Sequence, residues 1–190
     1  MWSNESKLRD TADAMRIKSL LQTHDPDFVK GLFAGIAGGL LASLLMEQFQ
    51  ALWNKAAVEL NPTKDEETSS APEESSTIKV AQAISERFTH KRIPADKKVV
   101  ASETVHYAMG ATSGAIYGVT AELIPLATVA EGLVFGASVW LVADEAIVPA
   151  LGLGKSAKQT PVSTHIYALT SHLVYGFVTE TVRRAMRGVL

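Results

Sequence analysis

The chain has 190 residues, enough for one domain, with 18 basic and 20 acidic side chains, 47 % apolar residues and no cysteine. The missing cysteine excludes a disulfide framework, a thiolate metal site and a cysteine nucleophile, and a formal net charge of −2 offers nucleic acid no basic field. The mean hydropathy of +0.12 hides an uneven chain, because the charges crowd into residues 1–30, 54–98 and 183–187.

Residues 1–24 set Leu8, Ala12, Met15 and Leu20 among charges, which predicts an N-terminal amphipathic segment. The first apolar run begins near Gly31 with no small-residue cleavage site after it, so it reads as a retained anchor. A spanning helix needs about 20 mostly apolar residues. The first candidate runs over 28–53, with Asp25 as N-cap and Pro26 at the first helical position. Residues 54–96 read as an extramembrane loop. Its acidic, Ser- and Pro-bearing linker (61–77) precedes Ile78, Ala81, Ile84 and Phe88 at helical spacing, which predicts a short amphipathic helix on the membrane surface. A second span is expected over 97–124, capped by Asp96 and stopped by Pro125. A third is expected over 128–150, with Thr128 and Glu131 as a capping box. A fourth follows Thr160-Pro161 and covers 161–187.

These spans are rich in Ala, Gly, Ser and Thr rather than Leu. Gly31, Gly35 and Gly39 recur every four residues in the first span, Gly110, Gly114 and Gly118 in the second, and Gly132 and Gly136 in the third. Small residues four apart line one helix face and admit a neighbouring backbone. Residues 112–122 (TSGAIYGVTAE) and 170–180 (TSHLVYGFVTE) align without a gap at an offset of 58, and Gly38 and Glu47 match Gly136 and Glu145 at an offset of 98. The expected fold is therefore an all-α membrane protein: a four-transmembrane-helix bundle made of two parallel two-helix repeats, with amphipathic surface helices.

The run HYAMGATSGAIYGVTAE from His106, the Gly132-Leu-x-x-Gly-Ala137 segment, Pro149 before Gly152-Leu153, His172-Leu173-Val174, and Glu180-x-x-Arg183-Arg184-x-x-Arg187 together resemble the YagU-like bacterial inner-membrane proteins, a family catalogued as a domain of unknown function. The resemblance covers residues 103–187 well and 28–55 loosely, with the loop 56–96 less clear. It implies a multi-span fold in the inner membrane and transfers no catalytic residue. Arg183, Arg184 and Arg187 after the last span, with Lys7, Arg9, Arg16, Lys18 and Lys30 before the first, place both termini in the cytoplasm by the positive-inside rule. Lys91, Arg92, Lys97, Lys98, Lys155 and Lys158 lie on the opposite side and weigh against that orientation.

Ionisable residues inside spans are costly and default to functional candidates. These are His106, His165 and His172, with Glu47 and Glu145 on the same side. In the repeat register His172 takes the place of Gly114, which predicts an imidazole facing the bundle interior. Histidines at matched depth on two helices can hold a haem iron or, with carboxylates, a metal ion. The plainer expectation is a hydrogen bond from each to a neighbouring helix. Glu122 and Glu180 end their spans, Glu180 one turn before Arg183 and Arg184, as an interfacial ion pair would.

No Ser-His-Asp order, phosphate loop or dinucleotide fingerprint is present, so the expectation is no enzyme and no resident cofactor. The expected role is a structural or accessory unit, partnered by the lipid bilayer and by another membrane protein or a second copy, with no nucleic acid. The alternatives are a small oligomeric transporter or channel for protons or a small solute, and a haem- or metal-binding protein using His106 and His172.

Overall fold

The computed structural model describes residues 26–60, 75–154 and 157–190. The expected segment 1–24, Asp25 and most of the acidic linker lie outside the described residues. Among the described residues every regular element is helical. Helix α1 is Phe28–Leu60, α2 is Ser76–Thr89 and α3 is Lys98–Leu123. Helix α4, Leu133–Trp140, continues through a π-helical segment, Leu141–Ile147, into a last turn, Val148–Ala150. Helix α5 is Val162–Val189.

Two stretches, Phe28–Leu60 and Pro125–Ala150, are long and apolar enough to cross a membrane. Four were expected. Helices α3 and α5 have the length, but Ser, Thr, Gly, His and Tyr lower their apolarity, and α5 ends on Glu180, Arg183, Arg184 and Arg187.

Helix α1 lies between α3 and α5, α4 packs on α5, and α2 packs on α3. The seams are made of backbone. Gly31, Gly35 and Gly39 of α1 meet Gly118, Gly114 and Gly110 of α3 so closely that a Cβ on any of them would strike the facing chain. Gly38 turns the next face of α1 to the Thr179 carbonyl of α5, 2.7 Å from where its Cβ would stand. Between α4 and α5, Gly136 faces the His172 carbonyl and Gly132 that of Gly176. Such contact substitutes dispersion and weak Cα–H···O bonds for bulky interdigitation. Inside the four long helices, Tyr117 stacks on Phe135 with ring centroids 4.2 Å apart, and Tyr175 lies 5.8 Å beyond.

Several expected helix starts are different. Asp27 caps α1, its carboxylate accepting from the Lys30 amide at 3.0 Å. That bond holds the Asp27 carboxyl below the usual aspartate range, against a smaller opposing effect of desolvation. Asp96 is not the cap of α3. It sits within a 3₁₀ turn, Ala95–Lys97, that Pro94 initiates, and α3 begins after Lys97 without a side-chain cap. The Thr128–Glu131 capping box is absent too. The Thr128 hydroxyl donates back to the Pro125 carbonyl at 2.8 Å, and Ala130, Glu131 and Gly132 all take positive φ, 58°, 55° and 80°. The helix expected from 128 therefore starts at Leu133. Left-handed geometry costs an alanine or glutamate roughly 1–2 kcal/mol. The turn is held from outside, Glu131 by Arg184 and Gly132 by close contact with Gly176.

Candidate functional site

The densest polar chemistry gathers where α1 begins and α3 and α5 end. On α5, Glu180, Arg183, Arg184 and Arg187 fall at spacings of three, four and seven and so share one face. Glu180 is fully buried. It accepts from Arg183 Nε at 2.7 Å and Nη2 at 2.9 Å, from Arg184 Nε, and from the Tyr117 hydroxyl at 2.9 Å. Glu122 of α3 takes a two-pronged bond from Arg187, at 2.7 and 2.8 Å, and lies 3.6 Å from Arg183. The Asp27 amide also donates to Glu122 at 3.3 Å, tying in the start of α1. With the Glu131–Arg184 pair, three carboxylates balance three guanidinium groups. A cleft of about 330 Å³ opens beside them, between Pro125 and Arg187.

A buried charge persists only when paired and hydrogen-bonded, and Glu180 and Arg183 meet that condition through partners on two helices. The pair of Glu180 with Arg183 and Arg184 was expected at this end. Glu122 was expected as an interfacial ion-pair residue as well; what the sequence reading missed is that the Tyr117 hydroxyl joins the same network. A signal existed, because Tyr117 and Glu122 repeat Tyr175 and Glu180 with the same five-residue spacing.

The residues singled out from sequence stand toward the other end and form separate pairs. Glu47 accepts from the Tyr107 hydroxyl at 2.8 Å, with His106 Nε2 3.9 Å away and without a hydrogen bond among the described residues. His165 Nδ1 and Glu145 are 2.6 Å apart. His172 Nδ1 lies 2.9 Å from the Ala168 carbonyl and 3.7 Å from Asp144. Asp144 and Glu145 both reach α5 from the π-helical segment. Such wide turns are frequent at functional positions. Among the described residues no three acidic or histidine side chains converge in a metal-holding arrangement. Along the interior, the Tyr175 hydroxyl bridges Ser113 at 2.8 Å and the Gly110 carbonyl at 2.7 Å. Ser43 Oγ is buried nearby without a hydrogen-bond partner among the described residues, close against Gly110.

A family model described as "Protein of unknown function (DUF1440)" matches residues 55–181. That span takes in the loop after α1, where the resemblance had looked weakest, and leaves out most of α1 itself. No curated protein and no solved structure matches. The match covers more than half of the chain, and the chain therefore belongs to this family of unknown function, DUF1440, the YagU-like family it was seen to resemble.

Proposed function

We propose that the chain is a four-span structural or accessory unit of the bacterial inner membrane, with both termini cytoplasmic. The observation that carries this is the inverted distribution of polarity. The largest fully buried side chains are Glu180, Thr179, Ser43 and Ser171, while Leu41, Ile116, Leu141 and Phe177, one on each long helix, are 45 %, 64 %, 57 % and 49 % exposed. Water would penalise that arrangement, at roughly 25 cal/mol per Å² of apolar surface left uncovered. Hydrocarbon favours it.

Contacts that correspond at the 58-residue offset support the two-hairpin reading. Gly31 meets Gly118 as Gly132 meets Gly176, and Gly35 meets Gly114 as Gly136 meets His172. Glu47 holds Tyr107 as Glu145 holds His165. The glycines relate α1 to α4 at an offset of 101, so Gly136 corresponds to Gly35 and not, as the sequence alignment had it, to Gly38, while the carboxylates keep the offset of 98. The difference is about one helical turn, and the π-helical segment lies beside it. Backbone-to-backbone seams favour a scaffold over a passage wide enough for a solute. A partner or a second copy would then cover part of the apolar exterior.

The chain carries no cysteine, so single substitutions report position cleanly. Leu41→Cys, Ile116→Cys, Leu141→Cys and Phe177→Cys should resist a charged maleimide in broken membranes and react after denaturation, while Glu59→Cys should react in both. Labelling at Ile116 and Phe177 in the membrane would reduce the spans to two. The native mass of gently extracted protein tests the accessory role: stoichiometric foreign subunits uphold it, and a bare monomer removes it.

The second reading is proton transfer, favoured by the row of oxygen groups Glu180–Tyr117, Tyr175–Ser113, Ser43 and Glu47–Tyr107 along the interior. A proton flux into vesicles carrying the protein, reduced about tenfold or more by Tyr175→Phe, would select it. A flux equal to that of empty vesicles would remove it.

A further inference from the structure

We propose that the groove between α2, α3 and the end of α4 is a binding site for one anionic phospholipid, with an acyl chain in the groove and Arg87 on the phosphate. This rests on the membrane reading above.

The groove has a volume of about 360 Å³. Met109 of α3 contributes the floor, Val80, Ile84 and Phe88 of α2 one wall, and Ile147 and Leu151 after the π-helical segment the other. Phe88 and Leu151 are 79 % and 65 % exposed, so neither wall is covered among the described residues. The two walls come from different segments and are joined near Gly154, whose missing Cβ leaves room for Val148 and the start of α2 at Ser76. An apolar slot with separate walls gives a chain more contact than a flat helix face, because it is enclosed on three sides.

Arg87 distinguishes this groove from general lipid-facing surface. Its stem lines the wall, and a long cationic side chain places its head beyond an apolar surface it covers. Five residues on, Arg92 is paired with Glu86 at 3.1 Å, whereas Arg87 makes no ion pair or hydrogen bond among the described residues. Glu86, the nearest acid in sequence, is taken up by Arg92 and Gln82. A cation in the last turn of α2 also satisfies the helix dipole. That accounts for the charge at this position and not for the apolar groove beneath it. A guanidinium above an apolar slot at the interface matches a phosphodiester above its acyl chain, since arginine binds phosphate oxygens in pairs.

The test uses the full chain, stripped of lipid in a non-ionic detergent, with phosphatidylglycerol and phosphatidylcholine of identical acyl chains added in turn and bound equivalents read by native mass. One equivalent of phosphatidylglycerol should bind in preference to phosphatidylcholine, and Arg87→Gln should weaken it about tenfold, the loss of one charge-assisted bond. Ile147→Trp, filling the groove, should reduce both lipids, with helix content checked by circular dichroism. Equal binding of the two lipids, or binding indifferent to Arg87→Gln, overturns the proposal. So does a dimer that Ile147→Trp dissociates, which would assign the groove to a second copy. A protein that stays in solution without detergent defeats the membrane reading itself, and this is seen before any lipid is added.

Discussion

Leucine in place of Gly35 is expected to separate α1 from α3 and leave the chain unfolded or aggregated in detergent. A Cβ at Gly35 would overlap the Gly114 carbonyl oxygen and stand 3.0 Å from the Gly118 Cα. The obstacle is backbone, which has no rotamer to adopt, so the helices themselves must part. Parting at Gly35 also lifts Gly31 from Gly118 and Gly39 from Gly110, because two stiff helices cannot separate at one turn alone. Overpacking in a well-fitted core costs about 1–3 kcal/mol and occasionally more. Losing three adjacent contacts puts this case at or above the upper end, a large share of the 5–15 kcal/mol that typically holds a domain together. Gly35→Ala should fall between parent and Gly35→Leu. Gly188→Ala is the control: nothing lies within 4 Å of its missing Cβ, and alanine in a helix gains up to about 1 kcal/mol over glycine. Thermal melting in one detergent, followed by circular dichroism, separates the three. A Gly35→Leu variant that melts with the parent would mean that the α1–α3 seam does not hold the structure together.

The seam was readable from sequence because glycine every four residues has a single geometric meaning on a helix. The same spacing in α1 and α3 let the two ladders face each other residue by residue. The turn into α4 was not readable. Thr128-x-x-Glu131 fits a capping box locally, and only the pull of Arg184 on Glu131 and of Gly176 on Gly132 turns the backbone left-handed there. Tertiary partners 44 or more residues away overrode a local pattern. Asp96 failed for a nearer reason, since Pro94 starts a tighter turn before α3. The histidines were singled out because ionisable groups are rare in apolar helices. Which carboxylate each would meet depended on helix rotation and on the π-helical segment at 141–147, and neither is visible in residue spacing. The apolarity that makes a spanning helix legible in α1 is diluted in α3 and α5 by hydroxyls and charges, some buried as at Ser171, Thr179, Glu180 and Arg183 and others exposed as at Glu103, Thr112 and Thr181.

Replacing Glu180 with leucine is expected to be the most damaging change outside the glycine seams, and more damaging than replacing the ion pair as a whole. Glu180 is fully buried, and removing its carboxylate strands Arg183, itself 8 % exposed, and leaves the Tyr117 hydroxyl without its acceptor. Breaking one side of a buried pair typically costs about 3–5 kcal/mol, because the remaining charge stays desolvated. Arg183 keeps only Glu122, at 3.6 Å and already bound by Arg187. Arg184 suffers less, since it is half exposed and retains Glu131. Glu180→Gln should be milder, because an amide oxygen still accepts from Tyr117 and from one guanidinium. The double variant Glu180→Leu/Arg183→Leu should recover part of the loss, since an apolar pair of similar volume removes the stranded charge. Melting temperatures of the parent, Glu180→Leu, Arg183→Leu and the double variant in one detergent give the coupling directly. Additive losses from the two single changes would show that the residues act independently and that their pairing does not lock α3 to α5. A double variant that melts at or above the parent would show that the network is retained for something other than stability, and the arginine-lined cleft beside it is where that role would be sought.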